Sequence, residues 1–361
     1  MTGEIVTRRN VVGMLGSAAA ASALPGSVAY AQSKGELTVA LPGGVVKEIE
    51  TELYAKTLTA EKGYNIKVVV ADSGVLEQLR AQVTSKRVIW DVTEINSQTY
   101  PAMDLDLLEK IDYSIVDPKN ILPAYAKRPN AVLVLVWATA LTQRIDKLPA
   151  GKEMTSWADF WDVKTFPGPR AMRRQANHNL EFALIADGAP KDKVYELLAT
   201  DEGVNRAFAK MDKIKPHINA WWESGAQAVQ LMSDGEVYYS PMFNGRLQKL
   251  TDSGIPTKIA WAGGAFHITY HGILKGSKNV KEAHEWLRIR ATNPELAAKY
   301  VETVPYPAAI PGAFDKLPAK LQALLPTTPP NPEIMYIADE GFWYSARGDK
   351  IRERFLEWVI S

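Results

Sequence analysis

The chain of 361 residues contains no cysteine. That excludes disulfides, thiolate metal sites, iron–sulfur clusters and a thiol nucleophile. It also excludes a lipid anchor built on cysteine. An excess of either charge is missing too: Lys and Arg number 42 against 41 Asp and Glu, a net charge of +1. A chain so balanced offers no electrostatic case for binding nucleic acid or an anionic membrane. Histidine is scarce, at five residues, and the acids and bases form no recognisable catalytic constellation. There is no Gly-x-x-x-x-Gly-Lys-Ser/Thr phosphate loop, no Gly-x-Gly-x-x-Gly behind a strand and no Gly-x-Ser-x-Gly elbow. No cofactor is expected, and the signal for an enzyme is weak. What is present is 46% hydrophobic and 23% charged residue content, which excludes a disordered chain. At roughly 150 residues per domain, the length gives two domains with real cores.

Residues 1–31, MTGEIVTRRNVVGMLGSAAAASALPGSVAYA, read as an export address. Arg8 and Arg9 precede a mild Ala/Gly/Val run, then Pro25 and Ala29-Tyr30-Ala31, the layout of a cleavable signal. Thr7-Arg8-Arg9-Asn10-Val11-Val12 has the form of a twin-arginine signature, with Val12 where Leu is more usual. A membrane anchor is disfavoured, because the run is short for a bilayer and broken by Gly and Pro. Cleavage between Ala31 and Gln32 leaves 40 basic and 40 acidic residues. The expected product is periplasmic, neutral and untethered.

The next hundred residues alternate strand and helix signals. Glu36–Leu41 is a short apolar strand ending in Pro42-Gly43-Gly44, and Val46, Ile49, Leu53 and Leu58 then mark a helix at spacings of three, four and five. Lys67–Ala71 is a second strand, closed by Asp72-Ser73-Gly74, and Val88–Val92 a third, ending near Asn96-Ser97. Short apolar strands separated by helices predict a parallel sheet covered on both faces. In such sheets ligands collect beyond the carboxyl ends of the strands, which here carry Gly43, Gly44, Ser73 and Asn96. Ala131–Thr139 and Ile259–Leu274 are long β-rich runs that predict two crossings between lobes. Between them lie a helical stretch at 178–188, another at 192–213 and an extended segment at 236–240. Helices at 280–291, 294–300 and 349–360 and a wrapping linker at 326–332 complete the chain.

The mature chain resembles the periplasmic solute-binding proteins of ABC importers, in the branch named for spermidine and putrescine binding. The residues that carry the likeness are Leu37-Thr38-Val39-Ala40 with Gly43-Gly44, Thr155–Asp162, Phe166-Pro167-Gly168-Pro169-Arg170, Leu231–Val237 with Asn244-Gly245, and Val304-Pro305-Tyr306-Pro307. The resemblance implies an α/β clamshell of two Rossmann-like lobes joined by a hinge, the type II periplasmic binding fold. It places lobe 1 at residues 32–137 with a return at 263–310, lobe 2 at 138–262, and a wrapping segment and helix at 311–361. It implies a protein, expected to be a monomer, that traps one small-molecule ligand and delivers it to an ABC permease in the inner membrane, without catalysis.

Departures from that family are more informative than the matches. Polyamine binders line the cleft with carboxylates, because a buried diammonium ligand must be paired. Here the matching segment is Arg173-Arg174-Gln175-Ala176-Asn177-His178, and Phe243-Asn244-Gly245-Arg246 adds another arginine. A guanidinium is a planar fork matched to a carboxylate. The expected ligand is therefore an amino acid, an ω-amino acid or a small organic acid, with Arg246 as clamp and Arg173 or Arg174 as a second. Polyamine binding is the alternative. His178, Trp222, Phe243 and Tyr306 are the other expected ligand contacts, and Glu181, Asp72 or Glu94 can pair an ammonium. A periplasmic hydrolase using His178 or His267 as base is a second alternative. His267 and His271, four apart on a strand, share a face without an announced third metal ligand. Tyr238-Tyr239 echoes the iron-binding tyrosines of a related branch, yet neighbours on a strand point to opposite faces. No metal site is expected.

Overall fold

A computed structural model describes residues 35–361 except 72–73, 97–98, 104, 309, 311, 314, 316 and 323. The export address lies outside the described residues, as do Asp72 and Ser73. Nine strands form one mixed sheet among the described residues. They are β1 (Glu36–Leu41), β2 (Asn65–Val70), β3 (Val92–Ile95), β4 (Val132–Arg144), β5 (Arg170–Arg173), β6 (Ile218–Trp222), β7 (Tyr239–Phe243), β8 (Thr257–Ile273) and β9 (Tyr336–Ile337). The order is β2-β1-β3-β8-β4-β7-β5-β6, with β9 beside β8. β1, β2 and β3 pair in parallel at one end, β5, β6 and β7 at the other. The long antiparallel strands β4 and β8 join the two groups.

Two large hydrophobic cores share this sheet. One gathers residues 37–138 with 266–304, and the other gathers residues 141–214 with Tyr239, Ala260, Ala265 and the C-terminal side chains from Tyr336 to Phe355. On β4 the change of core falls after Ala138, and on β8 between Ala265 and Phe266. These positions face each other in register, Ala138 with Phe266 and Thr139 with Ala265. The pairing slips just beyond, between Thr139 and Leu141. Gly263 in the slipped segment has φ +67, and Trp157 donates its indole N–H to the Gly263 carbonyl at 2.9 Å. No helix among the described residues is long and apolar enough to cross a membrane.

Local departures from the expected elements have side-chain causes. The expected strand at 88–92 starts only at Val92. Gln82 Oε1 accepts the N–H groups of Ile89 and Trp90, and the Asp91 carboxylate accepts the Thr38 N–H at 2.7 Å. Backbone groups that a ladder would pair are thus held by side chains. The stretch 192–213 breaks into the helices Val194–Leu198 and Asp201–Ile214, because Thr200 is extended and its hydroxyl caps the Gly203 N–H. The extended segment at 236–240 is the start of β7, shifted to Tyr239–Phe243. The five-residue step between Leu53 and Leu58 has its cause in a widened π-turn at Thr51–Ala55, inside a run of helix from Val45 to Lys62.

Candidate ligand-binding site

Three arginines are largely withdrawn from water between aromatic rings, and their partners differ. Arg290 lies between Tyr54 and Tyr300, with Glu50 Oε1 at 2.8 Å and the Val134 carbonyl at 2.9 Å. Arg170 is packed against Phe160 and Tyr239 and donates to the carbonyls of Phe160, Phe166 and Gly168. Arg173, the last residue of β5, lies 5.5 Å from the Trp222 ring and 5.4 Å from Phe243. Its guanidinium donates to no acceptor among the described residues. Burial holds its pKa below the usual arginine value, with the Glu340 charge offsetting part of the shift. A half-buried guanidinium whose donors find no protein acceptor is costly to fold. Such donors point to a ligand that supplies the acceptors.

Those donors face a cavity of about 360 Å³, lined by Trp137, Gln175, Asn177, His178, His267 and Glu340 as well as Arg173. Trp137 and His267 are cross-strand partners on β4 and β8, stacked with ring centroids 3.8 Å apart. A larger cavity of about 560 Å³ opens beside Phe266 and Ile268, on the opposite face of β8. Its lining is almost wholly apolar and gives a charged solute nothing to bind.

His178 sits at the start of the helix Asn179–Ala186 with φ +71, a backbone position that favours glycine. Burial drives its pKa well below the ordinary value, and the charges of His267 and Arg173 push the same way. Burial also lowers the pKa of His267, against a hydrogen bond to Glu340. Both imidazoles are neutral near pH 7, so the cavity's cations are Arg173 and Arg352, and Arg352 is already engaged by Asp349 and the Trp343 carbonyl.

Arg246 approaches Gly225 together with Phe243. Its Nε is buried without a partner among the described residues. Two glycines make this packing possible. A Cβ on Gly225 would stand 2.9 Å from Phe243 Cδ2 and 3.3 Å from Arg246 Nε, and one on Gly245 only 2.5 Å from the Tyr306 ring. Asn244 fixes the corner, accepting the Ala138 N–H at 2.9 Å and donating to the Pro305 carbonyl at 3.0 Å. Tyr306 is half-buried there, in the fields of both Arg246 and Glu94. Arg246 does not line the cavity that Arg173 lines.

Residues 54–327 match the family model of bacterial extracellular solute-binding proteins. The chain belongs to that family. The gamma-aminobutyric acid-binding protein of Pseudomonas aeruginosa is 34% identical over 335 residues, covering 92% of this chain and 93% of the relative. An ABC transporter substrate-binding protein from Bradyrhizobium japonicum has a similar structure, at 30% identity and TM-score 0.79, covering 91% of this chain and 100% of that one. The Atu4243–GABA receptor is similar at 28% identity and TM-score 0.76, covering 90% and 97%. These neighbours are two-lobed periplasmic binding proteins, and this solute-binding protein shares their α/β fold.

Within this solute-binding protein, Arg173 and His178 line the 360 Å³ cavity, while Phe243, Arg246 and Tyr306 do not line it and pack around Gly225 and Gly245. Trp222 is 0% exposed and bonds Ser240 through its indole N–H, so it backs Arg173 instead of opening on the cavity. Arg174 is a surface residue paired with Glu223 at 2.9 Å. Gly44, at φ +65, begins the first helix with open space beside it, next to Gly43. Asn96 follows β3 and donates to Glu94 at 3.1 Å. Burial pushes Glu94 up to about 7, against that hydrogen bond. Glu181 does not face solvent: it is 0% exposed and accepts from Tyr195 and Trp343. His271 accepts the Trp286 indole N–H at 3.3 Å, away from His267. Tyr239 is buried with its hydroxyl on the carbonyls of Lys147 and Pro167, while Tyr238 packs over Gly168. Among the described residues no three acidic or histidine side chains gather as a metal site. Trp137, Gln175, Asn177 and Glu340 were not singled out from the sequence. Gln175 and Asn177 stand in the basic stretch that was, but nothing local marks Trp137 or Glu340.

Proposed function

We propose that this substrate-binding protein of an ABC transporter captures a small carboxylate-bearing solute of the ω-amino acid class, such as γ-aminobutyrate. The observation that carries the reading is the guanidinium of Arg173, half-buried beside two aromatic rings, lining the cavity and without an acceptor among the described residues. A bidentate carboxylate meets that need. Two relatives carry γ-aminobutyrate in their names. A diammonium ligand would instead be repelled by Arg173, which has no ion-pair partner among the described residues. The strands β4 and β8 serve as the hinge, with the change of core at Thr139 and Ala265 dividing the lobes. The protein works in the periplasm as a monomer, is exported by residues 1–31 and hands its solute to a membrane permease.

A hydrolytic reading has one observation behind it. The Thr139 hydroxyl is 3.5 Å from His267 Nε2, and His267 Nδ1 is 3.3 Å from Glu340 Oε1. Thr139, however, is buried and does not line the cavity. A thermal-shift screen of ω-amino acids, organic acids and polyamines tests the function. A solute at 100 times its Kd adds about 2.7 kcal/mol of stability. Stabilisation by putrescine or spermidine but by no carboxylate overturns the reading, and product formed on long incubation with the bound solute restores the enzyme.

A further inference from the structure

Glu340 opens the short helix Glu340–Trp343 in the C-terminal segment and lines the same cavity as Arg173. Its Oε1 lies 3.3 Å from His267 Nδ1. A carboxylate can only accept, so Nδ1 carries the proton and Nε2 is the free acceptor facing Thr139. The neutral imidazole orients the carboxylate without cancelling its charge. No Lys or Arg stands within ion-pair distance of Glu340 among the described residues, and its field reaches Arg173. Arg352 also lines the cavity but is taken by Asp349 and the Trp343 carbonyl, which leaves Glu340 and Arg173 as the lining charges without an ion-pair partner among the described residues.

The segment that carries Glu340 is fixed from both sides by an acid the solute-binding reading does not use. Glu181, buried in the helix that begins beside His178, accepts the Trp343 indole N–H at 2.8 Å and the Tyr195 hydroxyl at 3.1 Å. The Tyr195 oxygen in turn accepts the Asp339 N–H at 2.8 Å. Asp339 precedes Glu340 and Trp343 follows it. Burial of a carboxylate here is repaid by holding this turn against the cleft. Trp343 and Tyr344 line the cavity alongside, with the Arg352 guanidinium 5.9 Å from the Tyr344 ring.

From this arrangement we infer that Glu340 recognises the ammonium end of the solute, oriented by His267 and held in place by the Glu181–Tyr195–Trp343 network. The inference rests on the function proposed above and assigns the second end of its ligand. Glu94, the other acid near the cleft, does not line the cavity and already accepts from Asn96.

Calorimetric titration with γ-aminobutyrate and with butyrate, which keeps the carboxylate and lacks the amine, tests the assignment. Wild type should prefer γ-aminobutyrate by at least ~100-fold, the scale of a desolvated charge partner. E340Q should reduce that preference to under ~10-fold by weakening γ-aminobutyrate while leaving butyrate unchanged, and E94Q should preserve it. A preference retained in E340Q, or equal loss of both probes, overturns the assignment alone. So does a wild type that binds the two probes equally. A wild type that binds no ω-amino acid overturns the proposed function and the assignment with it.

Discussion

Arg173→Met separates the cost of this site from its use. In the ligand-free protein the substitution removes two cation–π contacts, worth about 0.5–1 kcal/mol each where partly exposed. It also relieves a guanidinium that is partly desolvated and that no acceptor among the described residues repays. The methionine stem keeps most of the packing against Trp222 and Phe243. Ligand-free stability should therefore hold within about 1 kcal/mol of wild type, on the stable side. Binding should collapse, because the solute's carboxylate loses its fork in a desolvated site, at about 3–5 kcal/mol or roughly a hundred- to several-thousandfold in Kd. At a concentration 100 times the wild-type Kd, the stabilisation by solute falls from about 2.7 kcal/mol to near zero. Denaturant unfolding with and without solute, beside calorimetric titration, reads both numbers. A variant that loses more than ~2 kcal/mol without solute, or keeps the solute-induced gain, refutes the reasoning.

Arg290→Met should behave oppositely: it strands Glu50 beside Tyr54 and Tyr300 and costs about 3–5 kcal/mol in denaturant unfolding, with solute affinity of the folded protein unchanged. Gly225→Ala should weaken the solute about tenfold in calorimetry, because a Cβ 2.9 Å from Phe243 moves that ring and Arg246 together. Burial raises Glu181 from 4.5 to about 7, so the folded state holds its proton more tightly than the unfolded chain. That contribution is whole below pH 4.5 and is lost as pH rises through 7, about 3 kcal/mol in all; the pH dependence of unfolding should flatten by this amount in E181Q.

How far local pattern carried the reading depends on where each backbone and side-chain group found its partner. The parallel β1–β2 pairing and the crossing strands were legible because apolar alternation and length are local. The start of β3 was not, since Gln82 and Asp91 take the N–H groups that a strand pattern assigns to a ladder. Arg173 and Arg174 are neighbours with the same chemistry, and only one is paired. Adjacent side chains leave a strand end on opposite faces, which sends Arg174 to Glu223 on the surface and Arg173 to the aromatic wall. Trp222 looked like a cleft residue and is the layer behind it.

Taken alone, the sequence determined the chemistry available: no thiol, a net charge of only +1, an α/β alternation and adjacent arginines at 173 and 174. Only the tertiary structure decided which of those groups remain unmet. Arg173 and Glu340, 167 positions apart in the chain, line one cavity because β5 and the C-terminal segment meet beside the crossing strands. Whether a buried charge is structural or functional is set by what lies within about 3 Å of it, and that distance runs across the fold, not along the chain.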